Sequence, residues 1–264
     1  MDGWQGYLRA SRIDGGKAMK RIIFAVISLF LVIISCAPAI RPQEGVGIPA
    51  DRSPAMDYIN MGFASLARGE YGRAIEAFNQ AISLDPKLTI AYAARANAYQ
   101  IQGRHDSAIE DYSKVISLAP NLPKAFVNRG YSYFEKGDDE KALEDYNRAL
   151  SLDPNMAMAY SNRGSIYGKR KQYDRAIEDY NRAISLDPKY AKAYFNRGTT
   201  YTERGQHDLV IKDFTEAISL NPAFAMAYYN RALVYRAKGQ HDREVEDYTK
   251  AISLEPNFVN ALIN

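Results

Sequence analysis

The sequence predicts an all-α fold, an α-solenoid of six 34-residue helix-hairpin units, and three observations carry that expectation. Prolines recur at Pro86, Pro120, Pro154, Pro188, Pro222 and Pro256, each 34 residues after the last, with Ser-Leu ahead of each from Ser83-Leu84 to Ser253-Leu254. Between them, small and aromatic residues return at i, i+4 and i+7, as Tyr160, Gly164 and Tyr167 and then Ala176, Tyr180 and Ala183. That spacing lays one apolar stripe along each of two helices. Gly69, Gly103, Gly137, Gly205 and Gly239 stand between the stripes, where a first helix ends and a left-handed residue is wanted. A fixed period of this length means stacked supersecondary units rather than one closed core.

The chain opens differently. Lys20-Arg21 precedes the apolar run Ile22 to Ile34, followed by Ser35, the single cysteine Cys36 and a tract rich in Pro and Gly to Pro54. The run is short of the roughly 20 residues that span a hydrocarbon core, yet fits the apolar region of a secretory signal, about 7–15 residues. Residues 1–35 therefore read as a signal peptide, with Met19-Lys20-Arg21 complete enough to make Met19 the expected start of translation. Ile33-Ile34-Ser35-Cys36 resembles the lipobox of bacterial lipoproteins. The resemblance implies cleavage before Cys36, diacylglycerol on its thiol and a further acyl group on the new amino terminus. The other reading of these residues is an uncleaved N-terminal anchor with an incidental cysteine. Residues 36–54 cannot bury a core and read as an extended tether, with an upper reach of roughly 60 Å at about 3.3 Å per residue.

The six units are 55–88, 89–122, 123–156, 157–190, 191–224 and 225–258. In each, the proline closes the second helix and forces the residue before it out of helical geometry. Asp106, Asp174, Asp208 and Asp242 are placed to cap second helices. Gly62, Gly130, Gly164 and Gly198 match Ala74, Ala142, Ala176 and Val210 across the hairpins, small residues that allow close approach. Residues 259–264 begin an incomplete seventh unit. So short a piece forms no cap, so the last second helix, around Val245, Tyr248 and Ile252, is expected to be partly uncovered there and covered by a second copy of the chain or by a partner protein.

Tyr160, Gly164, Tyr167, Ala176, Tyr180, Ala183 and Pro188 at these intervals resemble the tetratricopeptide repeat, over about three quarters of the chain. The resemblance implies a right-handed solenoid that binds proteins or peptides along the wall made by its first helices. Departures are local: Ser65 replaces an aromatic, Lys171 replaces the turn glycine of the fourth unit, and Glu244 takes a tight alanine place in the sixth. An unpaired carboxylate does not enter a close helix contact, so the last unit is expected to be looser. One departure is systematic. Arg95, Arg129, Arg163, Arg197 and Arg231 stand where the family has Leu, and Asp111, Asp145, Asp179, Asp213 and Asp247 follow sixteen residues later, while the first unit has Met61 and Ala77. Joint presence and joint absence suggest that each Arg meets the Asp of its own hairpin; common ancestry of the five units is the alternative.

Charge and chemistry exclude several classes. Residues 55–264 hold 27 Lys and Arg against 27 Asp and Glu, and the surplus sits in residues 1–54, with 7 against 4. An array with interleaved signs has no basic stripe for phosphates, so nucleic-acid binding is not expected. His105, His207 and His241 occupy equivalent places, unlike a singular catalytic residue, and one cysteine permits neither a disulfide within the chain nor a thiolate metal cluster. No nucleophile motif or phosphate loop is present. The expectation is a non-enzyme with no metal and no cofactor.

What remains is a surface. By analogy with the family, the inner wall takes triplets from the first helices: Met56, Ile59 and Phe63; Ile90, Ala93 and Asn97; Lys124, Val127 and Tyr131; Met158, Ser161 and Ser165; Lys192, Phe195 and Thr199; Met226, Tyr229 and Leu233. Asn60, Asn128, Asn162, Asn196 and Asn230 fall one residue after the middle of a triplet, similar to asparagine ladders that grip peptide backbone. An amide offers main chain both a donor and an acceptor, but it can equally satisfy a neighbouring helix. Ala93 and Met158 stand where a carboxylate clamp needs lysines, which disfavours that mode. The partner-binding candidates are thus Asn60, Asn97, Asn128, Tyr131, Asn162, Lys192, Phe195, Asn196, Tyr229 and Asn230. The expected role is a lipid-anchored scaffold in a bacterial cell envelope, with a structural or pilot lipoprotein of a pilus or secretion system as the alternative. A regulatory domain would need a catalytic segment that residues 55–264 do not supply.

Overall fold

The computed structural model describes residues 53–256; the expected signal, Cys36, the tether and the start of a seventh unit lie outside the described residues. Twelve helices make up the described residues. The chain divides after Lys136 into two bodies. The N-terminal body holds α1 (Pro54–Ala67), α2 (Tyr71–Leu84), α3 (Thr89–Ile101), α4 (His105–Leu118) and α5 (Pro123–Glu135). The C-terminal body holds α6 (Asp139–Leu152), α7 (Ala157–Lys169), α8 (Tyr173–Leu186), α9 (Ala191–Glu203), α10 (His207–Leu220), α11 (Ala225–Ala237) and α12 (His241–Leu254). Consecutive helices pack as antiparallel hairpins and each hairpin packs on the next within its body, the stacked all-α arrangement that the period predicts.

The punctuation works as the residues require. The residues before the prolines, from Asp85 to Glu255, leave helical geometry with φ between −135° and −142°. Each turn glycine takes a left-handed φ of 68–83°, and Lys171, standing for the missing glycine, is held at 59°. A side chain bears that conformation only at a cost in energy.

The aspartates do something other than capping. The residues before α4, α8, α10 and α12 are Arg104, Gln172, Gln206 and Gln240, none of which caps through its side chain. Asp106, Asp174 and Asp208 lie inside the first turn and reach the next hairpin: Asp106 pairs with Lys136, Asp174 with Arg204 at 2.5 Å, and Asp208 with Lys238. Asp242 also lies inside the first turn of its helix. The helix boundary falls two residues earlier than a capping role needs, so the carboxylate points outward to a cation. Among the described residues only Asp138 caps, accepting from the Lys141 amide.

Close approach within hairpins depends on glycine and on the aromatic ring opposite. A Cβ on Gly62 would lie 2.3 Å from the Phe78 ring, one on Gly164 2.9 Å from Tyr180 and 3.2 Å from the Ala176 carbonyl, and one on Gly198 2.9 Å from Phe214. Ala74, Ala176 and Val210 are fully buried beside these notches, which the rings occupy. In the N-terminal body, Ile59, Leu66, Ile75 and Phe78 pack against Ala91, Ala94 and Ala98 of the next hairpin. In the C-terminal body, Val210, Phe214 and Ala217 pack with Ala227 and Val234.

The last hairpin departs from expectation in one respect. Glu244 is not unpaired: its carboxylate lies 3.0 Å from His241 Nδ1 and 3.8 Å from Arg236 Nε. The helix it begins, α12, buries only Asp247 and Ala251, and Val245 is 63% exposed among the described residues.

Candidate functional site

From α3 onward the first helices carry two arrays, one that holds the stack and one that faces out. The first is built on the arginines. Arg95, Arg163, Arg197 and Arg231 each place Nε and Nη2 on the two carboxylate oxygens of Asp111, Asp179, Asp213 and Asp247, at 2.6–2.8 Å. Arg129 and Asp145 fall in different bodies. The hydrogen bond to Asp179 holds the Arg163 guanidinium above its ordinary value, so the fork stays charged. Each guanidinium also sits near two rings of its own helix, as Arg163 does near Tyr160 and Tyr167 at 5.4 and 5.9 Å.

A third contact was not read from the sequence. Nη1 of each arginine reaches back to the second helix of the preceding hairpin: Arg95 to Asn79 at 2.5 Å, Arg129 to Ser113 at 3.0 Å, Arg163 to Asn147 at 2.7 Å, Arg197 to Asn181 at 2.6 Å and Arg231 to Thr215 at 2.8 Å. These five acceptors share the 34-residue period. Arginine has five N–H donors and a fork uses two, so a further partner on that period was the signal to look for.

The outward array is a second stripe at i, i+4 and i+7. In the C-terminal body it reads Met158, Asn162 and Ser165 on α7, Lys192, Asn196 and Thr199 on α9, and Met226, Asn230 and Leu233 on α11, all exposed or half-buried. In the N-terminal body it reads Met56, Asn60 and Phe63 on α1, Ile90, Ala94 and Asn97 on α3, and Lys124, Asn128 and Tyr131 on α5, where Ala94 alone is buried. The middle residues of the expected triplets turn out to be largely packing residues. Ile59, Val127 and Ser161 are buried, and Phe195 is 4% exposed, its ring 5.5 Å from Phe214 and 4.6 Å from Phe224. Phe195 therefore belongs to the core and not to a binding wall: it lies about 100° around the helix from Asn196, toward the adjoining hairpin. Tyr229 is half-buried against Tyr248, ring centroids 5.5 Å apart.

The asparagines divide. Asn196 donates to Ser165 Oγ on α7 at 3.2 Å, and the backbone carbonyl of Asn128 accepts from Gln100 on α3 at 2.8 Å. The Asn128 side chain bonds the buried Tyr112 phenol, whose pKa burial raises well above the usual range despite that bond. These two serve a neighbouring helix. Asn60, Asn97, Asn162 and Asn230 make no side-chain hydrogen bond among the described residues, which leaves amide donors and acceptors on the surface.

Among the described residues no group of three His, Cys, Asp or Glu is placed to hold a metal ion, and no helix is long and apolar enough to cross a membrane. His105 is half-buried with Nδ1 unpartnered, and burial lowers its pKa. Open clefts among the described residues include one of about 570 Å³ beside Tyr228, Arg231 and Asp247 and one of about 290 Å³ beside Lys171, Arg175 and Arg204. The first is lined by the Arg231–Asp247 pair that closes its own hairpin, the second by the Arg204–Asp174 pair that joins two hairpins.

Models of tetratricopeptide repeats match residues 62–103, 96–137 and 130–171, then 157–190, 191–224 and 225–258. No curated protein matches the chain significantly. Among solved structures, MamA is 32% identical over 62% of this chain and 96% of its own, with a TM-score of 0.53. PilW, described as a widely conserved type IV pilus biogenesis factor, is 19% identical over 81% of this chain and all of its own, at 0.71. YrrB, described as a repeat protein with an unusual peptide-binding site, is 24% identical over 72% and 98%, at 0.51. The last two are likenesses of fold.

Proposed function

The chain belongs to the tetratricopeptide repeat family, and from that premise we propose that it is a non-enzymatic scaffold of a bacterial cell envelope, anchored by lipid at Cys36 and binding protein or peptide partners on the outward stripes of its first helices. The observation that carries the binding role is the division of labour on those helices. Arg163 and its equivalents hold the hairpins together, while Met158, Asn162, Met226, Asn230 and Leu233 spend little of their chemistry on the fold. Exposed apolar side chains rimmed by amides are a surface that mixed side-chain and main-chain recognition can use. The peptide-binding description of YrrB accords with such a role, at the level of fold.

Anchoring rests on the order of basic pair, apolar run, Cys36 and tether. Several acyl chains hold a protein to a bilayer stably, whereas a single chain is marginal. The test is affinity capture of the lipidated protein from membranes, beside a Cys36→Ser variant and an Asn162→Ala/Asn230→Ala variant. Release from the membrane by the first and loss of captured partners by the second are expected. An unmodified Cys36 within an uncleaved chain would refute the anchor, and partners unaffected by the asparagine variant would refute the stripe. A structural part of a pilus or secretion assembly is the second reading, and pilus components among the captured proteins would favour it.

A further inference from the structure

Every second helix begins at the same place of its unit, and the residues that stand there treat the next hairpin differently. Asp139 pairs with Lys169, 30 residues on, at 2.8 Å, and the Tyr173 phenol donates to Glu203 at the same interval. Tyr71 packs against the apolar cluster of the first two hairpins. The other three are histidines. His207 is exposed, and His241 is exposed with Nδ1 3.0 Å from the Glu244 carboxylate. His105 is half-buried, and its Nδ1 is shut away from solvent with no hydrogen-bond partner among the described residues. It stands on the seam between α4 and α5, where Glu135 acts on it across the same interval. We propose that this seam is an acid-released joint: a proton taken up by His105 loosens α4 from α5, while the seams of the C-terminal body hold.

A neutral imidazole donates from one nitrogen only, so Nδ1 can stay bare. In the imidazolium both nitrogens are donors, and the new N–H would be shut in without an acceptor while the charge is held out of water. The neighbouring charges do not offset this. Glu135 and Asp106 favour the proton, but Glu135 is exposed to water, and Asp106 is tied to Lys136, which opposes it. Burial is the largest influence and holds the pKa of His105 below its ordinary 6.5. Parting the two helices gives the ring water, so proton uptake and an open seam favour each other. The opening is local and starts at the turn edge. Deeper in the seam, Gln100 on α3 donates to the Asn128 carbonyl at 2.8 Å and to Ser132 Oγ at 2.7 Å, and accepts from the Tyr112 phenol at 3.0 Å. None of these groups changes charge in mild acid. Native proteins open in such cooperative parts, each with its own free energy. A partner that spans the stripes of α3 and α5 would lose one of its two supports when this part opens.

Hydrogen exchange on the full chain, with no partner present, reads the seam directly at pH 7.5 and pH 5.5 once each amide is corrected for its intrinsic rate at that pH. Protection in α4 and α5 is expected to fall at the lower pH by up to about tenfold, the ceiling set by an open state that binds its proton at the ordinary 6.5. Protection in α9 and α10, where His207 is exposed, is expected to hold. His105→Tyr, which installs the residue of Tyr71 and Tyr173, and His105→Gln, which is polar and does not titrate, are both expected to abolish the fall. If His105→Tyr loosens the seam at pH 7.5 as well, His105→Gln decides. Unchanged protection in α4 and α5, an equal fall in every hairpin, or a fall that survives the substitution would overturn the proposal. A rise at pH 5.5 would overturn it too, since Glu135 would then be capturing the imidazolium and tightening the seam.

Discussion

Replacing Arg163 by Met is the most informative single perturbation of the stack, because the first hairpin already shows what the change looks like when both partners are absent. There, Met61 and Ala77 occupy the places that Arg163 and Asp179 hold in the fourth hairpin. The Asp179 side chain is 6% exposed and that of Arg163 20% exposed, so Arg163→Met strands a buried carboxylate. That costs about 3 kcal/mol, the low end of the range for breaking a buried pair because the arginine keeps some water. Asp179→Ala removes two charge-assisted bonds from a partly solvated arginine that keeps Asn147, at about 2 kcal/mol. The double replacement recreates the first hairpin's solution, removes both charges together and is expected to cost about 2–3 kcal/mol, which leaves a coupling of about 2–3 kcal/mol between the sites. Arg163→Met with Asp145→Ala is the control and should be additive, since the fork of Arg163 closes on Asp179. Urea unfolding supplies the four free energies, with hydrogen exchange of α7 and α8 to confirm that the same hairpin is being read. Additive single costs, or a double variant less stable than Arg163→Met alone, would refute the fork as the contact that closes the hairpin.

Lys171→Gly relieves the left-handed backbone at the fourth turn and should stabilise the chain by about 1 kcal/mol, read as a raised melting temperature. Gly164→Ala should destabilise despite alanine's helix propensity, by about 1–2 kcal/mol in denaturant, because the new methyl meets both the Tyr180 ring and the Ala176 carbonyl. Gly72→Ala, with nothing within 4 Å of the added carbon, is the matched control and should be neutral or stabilising. His105 has a folded pKa depressed below its ordinary 6.5 by burial, so the stability it permits is complete above 6.5 and is lost as pH falls through the lower folded value. Unfolding midpoints of the parent should therefore fall between pH 7.5 and pH 5.5 more steeply than those of His105→Tyr, which installs the residue found at the equivalent Tyr71 and Tyr173.

The period, the helix ends and the forks were legible because each is written several times. Six prolines fix where second helices stop, and the joint absence of Arg and Asp from the first unit shows which residues belong together. The middle positions of four triplets, Ile59, Val127, Ser161 and Phe195, are buried, and the more exposed position is the residue after each. Phe195 and Asn196 are neighbours in sequence but about 100° apart around the helix, and which of them faces out depends on how the adjoining hairpin leans, which no single stripe specifies. Asp106 was misassigned for a related reason, since a cap and a first-turn carboxylate differ by one or two residues and helix ends are read from sequence no better than that. The acceptors Asn79, Asn147 and Asn181 look like ordinary surface amides until the geometry of the arginine they serve is known.

The backward reach of the arginines has a consequence for how such a chain changes over generations. The joint between the α7–α8 and α9–α10 hairpins uses Arg197 on Asn181, and that between α9–α10 and α11–α12 uses Arg231 on Thr215, with Arg204 on Asp174 and Lys238 on Asp208 as the second bond at each. In these four bonds the donor comes from the later hairpin and the acceptor from the earlier one, at the same place in each. A segment of 34 codons copied in tandem thus arrives with a matching plug and socket, and its deletion leaves a matching pair behind. Recombination within the gene can lengthen or shorten the array without any compensating substitution, and the reach of the scaffold becomes a trait that copy number alone can tune.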